Sequence, residues 1–312
     1  MKRLVLHIGR HKTGTTNLQF ALADGAEALK RAGACYPVTG RDAPYERDRT
    51  AHHELALALM EGNAPKLEAL HRAFRAEVAR FDPVIVSSEA FQNLCDLRGL
   101  RQFFEGFHIE VVCYMREYLA YCASAYAQDI QTTPMAADFA TFMRLCAVGY
   151  RPREFRAMWS DVADSVVWRL YDRSALVDGD IVADFERLIG FPLPSVESDV
   201  NRSISGNLIA FKVLVNALGL HQWQHSHVLG ELAAAHRRFS GRFYISPEDQ
   251  AAYRASNPCN AMLQEMFGDI PLADFSRGNP ILGPGYLEDF DLIREALGEP
   301  IASHPLLRYT QG

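Results

Sequence analysis

Residues 10–16, Arg10-His11-Lys12-Thr13-Gly14-Thr15-Thr16, bring three basic groups, three hydroxyls and a glycine into one short run. That combination suits an oxyanion. Loop amides, hydroxyl donors and a cation can converge on it, and a helix starting at the Thr pair adds the positive end of its dipole. Gly9 and Gly14 have the glycine spacing of the nucleotide-binding loop, in which lysine and Ser/Thr follow the second glycine. Here Thr15 takes the lysine position and the lysine stands inside the loop at 12. The displacement argues against ordinary ATP or GTP hydrolysis, where the lysine must reach the β- and γ-phosphates. It suits a cofactor with one terminal phosphate linked to the group being moved. The plain alternative is a Gly/Thr-rich helix cap with no ligand.

A second constellation follows an apolar run at 109–114. Arg116 opens a helix and Ser124 stands eight residues later, so two turns and the loop geometry can bring a guanidinium and a hydroxyl to one anion. The competing reading is a surface arginine and an ordinary helix serine. Tyr171 ends another β-like run, as packing residue or ligand contact, and Arg202 lies in the polar loop Asn201-Arg202-Ser203, as anion support or exposed side chain. Proton-transfer candidates are Glu89, at the end of the 84–87 run, and the pair His52-His53, which opens a helix. A buried carboxylate has its pKa raised toward neutrality, and an imidazole needs little tuning. His7 falls inside the first strand, while His11 flanks the loop and can meet substrate or cofactor.

The elements that must position these groups read as follows. Residues 2–9 form a short buried strand, and Leu18, Ala21, Leu22 and Leu29 recur at helical spacing until Gly33, a natural C-cap. Further β-like runs lie at 84–87, 109–114 and 165–170, separated by helix-like segments. The alternation predicts an α/β fold, a parallel sheet with helices on both faces and ligands beyond the carboxyl ends of the strands. From about residue 203 the pattern turns mostly helical, with pieces at 208–218, 228–239, 247–267 and 287–297. The expectation is one α/β domain over 1–312 with a helical elaboration from about 203. Loops at 39–50 and 130–137 are candidate mobile segments near the site.

Composition bounds the partners. The 312 residues are 48% hydrophobic, enough for a sizeable core, and the formal charge of −6 gives no general pull toward nucleic acid or anionic membranes. Any anion site is therefore local. No apolar run reaches the length of a membrane span and no cleavage-like segment follows the first strand, so the cytoplasm is the expected location. Six cysteines, at 35, 95, 113, 122, 146 and 259, form no C-x-x-C pair and no zinc spacing, and most are expected as reduced core residues.

Lys12-Thr13-Gly14-Thr15-Thr16 closely resembles the 5′-phosphosulfate loop of sulfotransferases that use 3′-phosphoadenosine 5′-phosphosulfate (PAPS). Arg116 with Ser124 resembles the 3′-phosphate motif of the same family. Residues 167–176 are similar to the family's strand that ends in a Tyr and an acidic pair, although Asp172-Arg173 departs from that pair, and 201–203 fall where a polar loop returns to the cofactor. The resemblance runs in motif order over roughly residues 3–205. It implies a P-loop-like parallel sheet and a nucleotide-binding transferase that yields adenosine 3′,5′-bisphosphate (PAP) and requires no metal. By the same resemblance Arg10, His11, Lys12, Thr13, Gly14, Thr15, Thr16, Arg116, Ser124, Tyr171 and Arg202 contact PAPS, Lys12 also acts in catalysis, and Glu89 or His52/His53 is the base. The implied acceptor is a hydroxyl or amine of a carbohydrate, lipid-linked sugar or small molecule. Two other readings stay open: a P-loop kinase with an atypical loop, and a non-catalytic protein that binds nucleotide or a partner. The motifs encode neither the acceptor's identity nor the oligomeric state.

Overall fold

The computed structural model describes residues 1–10, 12–41, 50–195 and 203–307. It is an α/β structure with one four-stranded sheet, made of β1 (Lys2–His7), β2 (Val84–Ser87), β3 (Phe107–Met115) and β4 (Ser165–Leu170). The strand order is β2-β1-β3-β4 and every pairing is parallel. Leu4, Val5 and Leu6 are all fully buried, as are Val84, Ile85 and Val86. A parallel sheet covered on both faces removes the usual apolar/polar alternation, which is why these strands read as unbroken apolar runs.

In register, His7 stands opposite Ser87 on one side and Val112 on the other. Bonding continues past the strand ends, with Ile8 N donating to Val112 O, Ser88 N to His7 O and Tyr171 N to Met115 O. The segments after β1, β2, β3 and β4 thus leave from one carboxyl edge. The chain passes from β1 to β2 on one side and places β3 on the other, so the winding direction reverses beside β1. That reversal is where an α/β sheet opens a crevice.

In chain order the helices are α1 (Thr15–Asp24), α2 (Ala26–Arg31), α3 (His53–Glu61), α4 (Ala64–Glu77), α5 (Arg98–Phe103), α6 (Tyr118–Thr132), α7 (Phe139–Gly149), α8 (Pro152–Val162), α9 (Ile181–Ile189), α10 (Asn207–Ala217), α11 (His225–Ala235), α12 (Pro247–Ala255), α13 (Cys259–Phe267) and α14 (Tyr286–Leu297). The chain divides into two compact units. Unit 1 comprises Met1–Arg116, Arg151–Ser198 and Met262–Asp269 and holds the sheet. Unit 2 comprises Glu117–Tyr150, Asp199–Ala261 and Ile270–Gly312 and is mostly helical.

In unit 1, Leu18, Ala21 and Leu22 of α1 and Phe185 and Ile189 of α9 pack with Val5, Ile85, Val112 and Tyr114 of the sheet in one core cluster. Several boundaries differ from the sequence expectation. The single helix up to Gly33 is two helices, broken at Gly25, where a Cβ would stand 2.8 Å from Pro194 Cδ and 2.9 Å from Ala21 O. The 247–267 piece splits into α12 and α13 at Asn257-Pro258, since proline lacks an N–H and disfavours helical backbone before it. Arg116 does not open a helix. Glu117 caps α6, its carboxylate accepting from Leu119 N at 3.1 Å and Ala120 N at 2.8 Å, and leaves Arg116 just beyond β3.

In unit 2, α6 and α7 form a hairpin whose connection is tied by Asn216 of α10. The Asn216 amide donates to Ile130 O at 3.0 Å, Thr133 O at 3.1 Å and Met135 O at 2.6 Å. The 130–137 segment, expected as a mobile loop, is therefore anchored at three carbonyls. No helix among the described residues is long and apolar enough to cross a membrane.

Candidate functional site

The loop between β1 and α1 is built from two left-handed residues around a buried threonine. Lys12 has φ 67° and Gly14 φ 71°, and Thr13 between them is fully buried. For a residue with a side chain, that conformation costs roughly 1–2 kcal/mol. Two bonds hold it: Arg116 Nη1 donates to Lys12 O at 2.8 Å, and Thr13 Oγ1 donates to Arg10 O at 2.6 Å. Thr13's hydroxyl proton is thereby committed to closing the loop.

Both glycines of the motif have a steric reason. At Gly9 a Cβ would collide with the Thr15 methyl group. At Gly14 a side chain would meet the left-handed backbone and also the Tyr171 ring, with Tyr171 Oη 2.8 Å from the Cβ position. Gly14 is the N-cap of α1 and offers no side-chain cap, and no acidic residue lies in the first turn. The first turn of α1 thus carries neither a cap side chain at Gly14 nor a carboxylate of its own to compete with an anion for the helix N-terminus. Tyr171, its hydroxyl pKa raised by burial, walls the loop, and the Arg116 guanidinium lies 5.7 Å from its ring centre. Loop, arginine and tyrosine stand at the carboxyl ends of β1, β3 and β4. Such a cradle can hold an anion through amides, Lys12 and Arg116.

The candidate bases separate. Glu89 begins the turn after β2, and its Oε2 accepts from Gln19 Nε2 of α1 at 2.8 Å, which links it to the helix that starts at the cradle. Its Oε1 lies 3.8 Å from His53 Nε2. Ser88 Oγ accepts from Ala90 N at 3.1 Å and stands 2.7 Å from His53 Nδ1. Ser88 thus bridges the start of the turn to the His53 ring, whose Nε2 faces Glu89. Glu89 thus has the Gln19 amide hydrogen-bonded at one oxygen and the His53 ring beside the other.

His52 is turned away from this pair. It is fully buried, with Nδ1 near Ser87 N and O and Nε2 3.1 Å from Pro37 O, and burial pushes its pKa down to about 3. His7 is also fully buried, 2.8 Å from Ser87 Oγ through Nδ1, with its pKa pushed down to about 4 by burial. Both imidazoles are neutral struts under the carboxyl edge.

Of the residues read from sequence, Lys12, Thr13, Gly14, Thr15, Thr16, Arg116 and Tyr171 come together, and Glu89 joins His53. Arg10 contributes its carbonyl to the loop while its guanidinium lies 4.4 Å from the Phe155 ring centre. Ser124 is half-buried on α6 in unit 2. His11 and Arg202 lie outside the described residues. Sequence reading missed Gln19 and Ser88. Gln19 carried a usable signal, being a long polar residue on the apolar stripe of Leu18, Ala21 and Leu22.

No family model matches the chain, and no curated protein matches it. The functional reading therefore rests on the residues and their geometry.

Proposed function

We propose that this protein is a PAPS-dependent sulfotransferase with a P-loop-like fold. The observation that carries the reading is the strained Lys12–Gly14 loop, tied to Arg116 at the winding reversal of a parallel sheet and followed by a helix whose N-cap is a glycine. The resemblance of residues 12–16, and of Arg116 with Ser124, supports the choice of donor. PAPS, when bound, supplies a sulfuryl group on a 5′-phosphate leaving group.

The chain's own part is to position and to balance charge. The amides of Thr13, Gly14, Thr15 and Thr16 hold the 5′-phosphate, and Lys12 neutralises charge developing on the oxygen between phosphorus and sulfur. Arg116 fixes the loop through the Lys12 carbonyl and serves the 3′-phosphate. Glu89 takes the proton of the acceptor hydroxyl or amine, oriented by Gln19 and His53. The acceptor class is a carbohydrate, lipid-linked sugar or small molecule.

Calorimetric titration with PAP, with ATP and Mg²⁺, and with adenosine 5′-phosphate tests this directly. Selective binding of PAP is the expected result. Preference for Mg-ATP would move the protein to the kinase reading, and binding of none of the three would remove the nucleotide assignment.

A further inference from the structure

Unit 2 carries a set of thiols that sulfuryl transfer does not use. The α6–α7 hairpin is antiparallel and zipped by aromatic rings. Tyr126 meets Phe139 and Phe142, with ring centres 5.2 and 5.4 Å apart, near the closed end. Tyr118 and Tyr121 meet Tyr150, at 5.7 and 4.9 Å, near the open end. Cys122 lies one turn from both Tyr118 and Tyr126, and Cys146 lies one turn from both Phe142 and Tyr150. Residues four apart share a helix face, so the two cysteines form the middle rung of this ladder. Each thiol lies in the electrostatic surroundings of the other.

The two sulfurs differ in a way that matters for reactivity. Cys122 is fully buried and Cys146 partly exposed. The neighbouring Cys122 thiol lowers the Cys146 pKa, although burial and the charge of Asp129 oppose it. The Cys146 thiol, together with burial, pushes Cys122 up. A reachable thiol beside a hidden one on the facing helix is the arrangement that two-step thiol oxidation requires. The other cysteine of unit 2, Cys259, is fully buried with its sulfur 3.9 Å from Tyr150 Oη.

We propose that Cys122 and Cys146 are a peroxide-reactive pair that closes a reversible disulfide across the α6–α7 hairpin. In the first step the Cys146 thiolate attacks the peroxide. An S–O bond forms, the O–O bond breaks and hydroxide leaves, so sulfur is oxidised and peroxide reduced. In the second step the Cys122 sulfur attacks Cys146. The S–S bond forms, the S–O bond breaks, and the departing hydroxide takes the Cys122 proton as water. A dithiol reverses the crosslink by exchange.

The test is peroxide titration of the full chain, followed by alkylation, non-reducing tryptic digestion and mass spectrometry. Cleavage after Arg116, Arg144 and Arg153 puts Cys122 on peptide 117–144 and Cys146 on 145–153, while Cys259 falls on 255–277. Exposed Cys95 is the internal reference for unassisted oxidation. The expected result is a 117–144/145–153 linked pair that appears before Cys95 reacts and disappears with dithiothreitol. Cys122→Ser should leave Cys146 as a sulfenic acid trapped by dimedone. Two results would overturn the proposal in the wild-type protein: both thiols still alkylated once Cys95 is oxidised, or Cys146 advancing to sulfinic acid without the linked pair.

Discussion

Lys12 holds a left-handed backbone that a side chain disfavours, and Gly14 holds one that a side chain could enter only by displacing Tyr171. Gly14→Ala should therefore weaken PAP binding at least tenfold, since backbone strain alone costs roughly 1 kcal/mol and the Tyr171 contact adds to it; unchanged affinity in calorimetry would show that the loop does not hold the ligand. Lys12→Ala should lower kcat far more than it weakens PAP binding if the lysine acts on charge present only in the transition state, and equal losses would remove that role. Glu89→Gln should reduce kcat by about 10²–10⁴ with PAP affinity intact, the usual contribution of a positioned base. A rate that survives would pass the role to another group. The loop was legible because its parts are contiguous. The Gln19–Glu89 and Ser88–His53 contacts were not, because each depends on how β2, α1 and α3 come together in space.

At the scale of elements, β3, β4 and α9 are joined through one buried carboxylate. Asp184 of α9 accepts from Tyr114 Oη of β3 at 2.9 Å, from Arg169 Nε of β4 at 3.0 Å and from Val177 N at 3.2 Å. Its partner's pKa is raised by that bond, and the Tyr114 hydroxyl is pushed up by burial beside the carboxylate. Asp184→Ala leaves a phenol and a guanidinium without their acceptor. Because Arg169 is 34% exposed, the loss should fall at the lower end for broken buried pairs, about 3 kcal/mol, read in urea denaturation. A change within 0.5 kcal/mol would show that the elements are held by apolar packing alone. All four strands were readable, the covered ones because a doubly covered parallel strand is an apolar run and the half-buried edge strand β4 by its β-branched and aromatic residues. The break at Gly25 was not, because its cause includes Pro194, distant in sequence and brought near only by the fold.

For the molecule as a whole, acid sensitivity follows from His7 and His52, which sequence reading placed in a strand and among the candidate bases. Both are fully buried and neutral, with pKa values near 4 and 3 against 6.5 for a free imidazole. Between pH 6.5 and 4 the unfolded chain binds protons at these positions and the folded protein does not. The unfolding free energy must therefore rise with pH through this window, and the stability present in full above 6.5 is lost as pH falls. Each histidine contributes a slope of about 1.4 kcal/mol per pH unit. Asp96 and Asp164, held down to about 2 by Arg98 and Arg101, act only below the ordinary carboxylate range, so their arm lies at lower pH. His225, like His7, is pushed down to about 4 by burial, so denaturant titrations from pH 7 to 4 should lose stability with a limiting slope near three protons. His52→Gln, which keeps a polar side chain beside Ser87 and Pro37, should reduce the slope by one proton while lowering stability at pH 7. An unchanged slope in that variant would mean that His52 stays charged, or reaches solvent, in the folded protein.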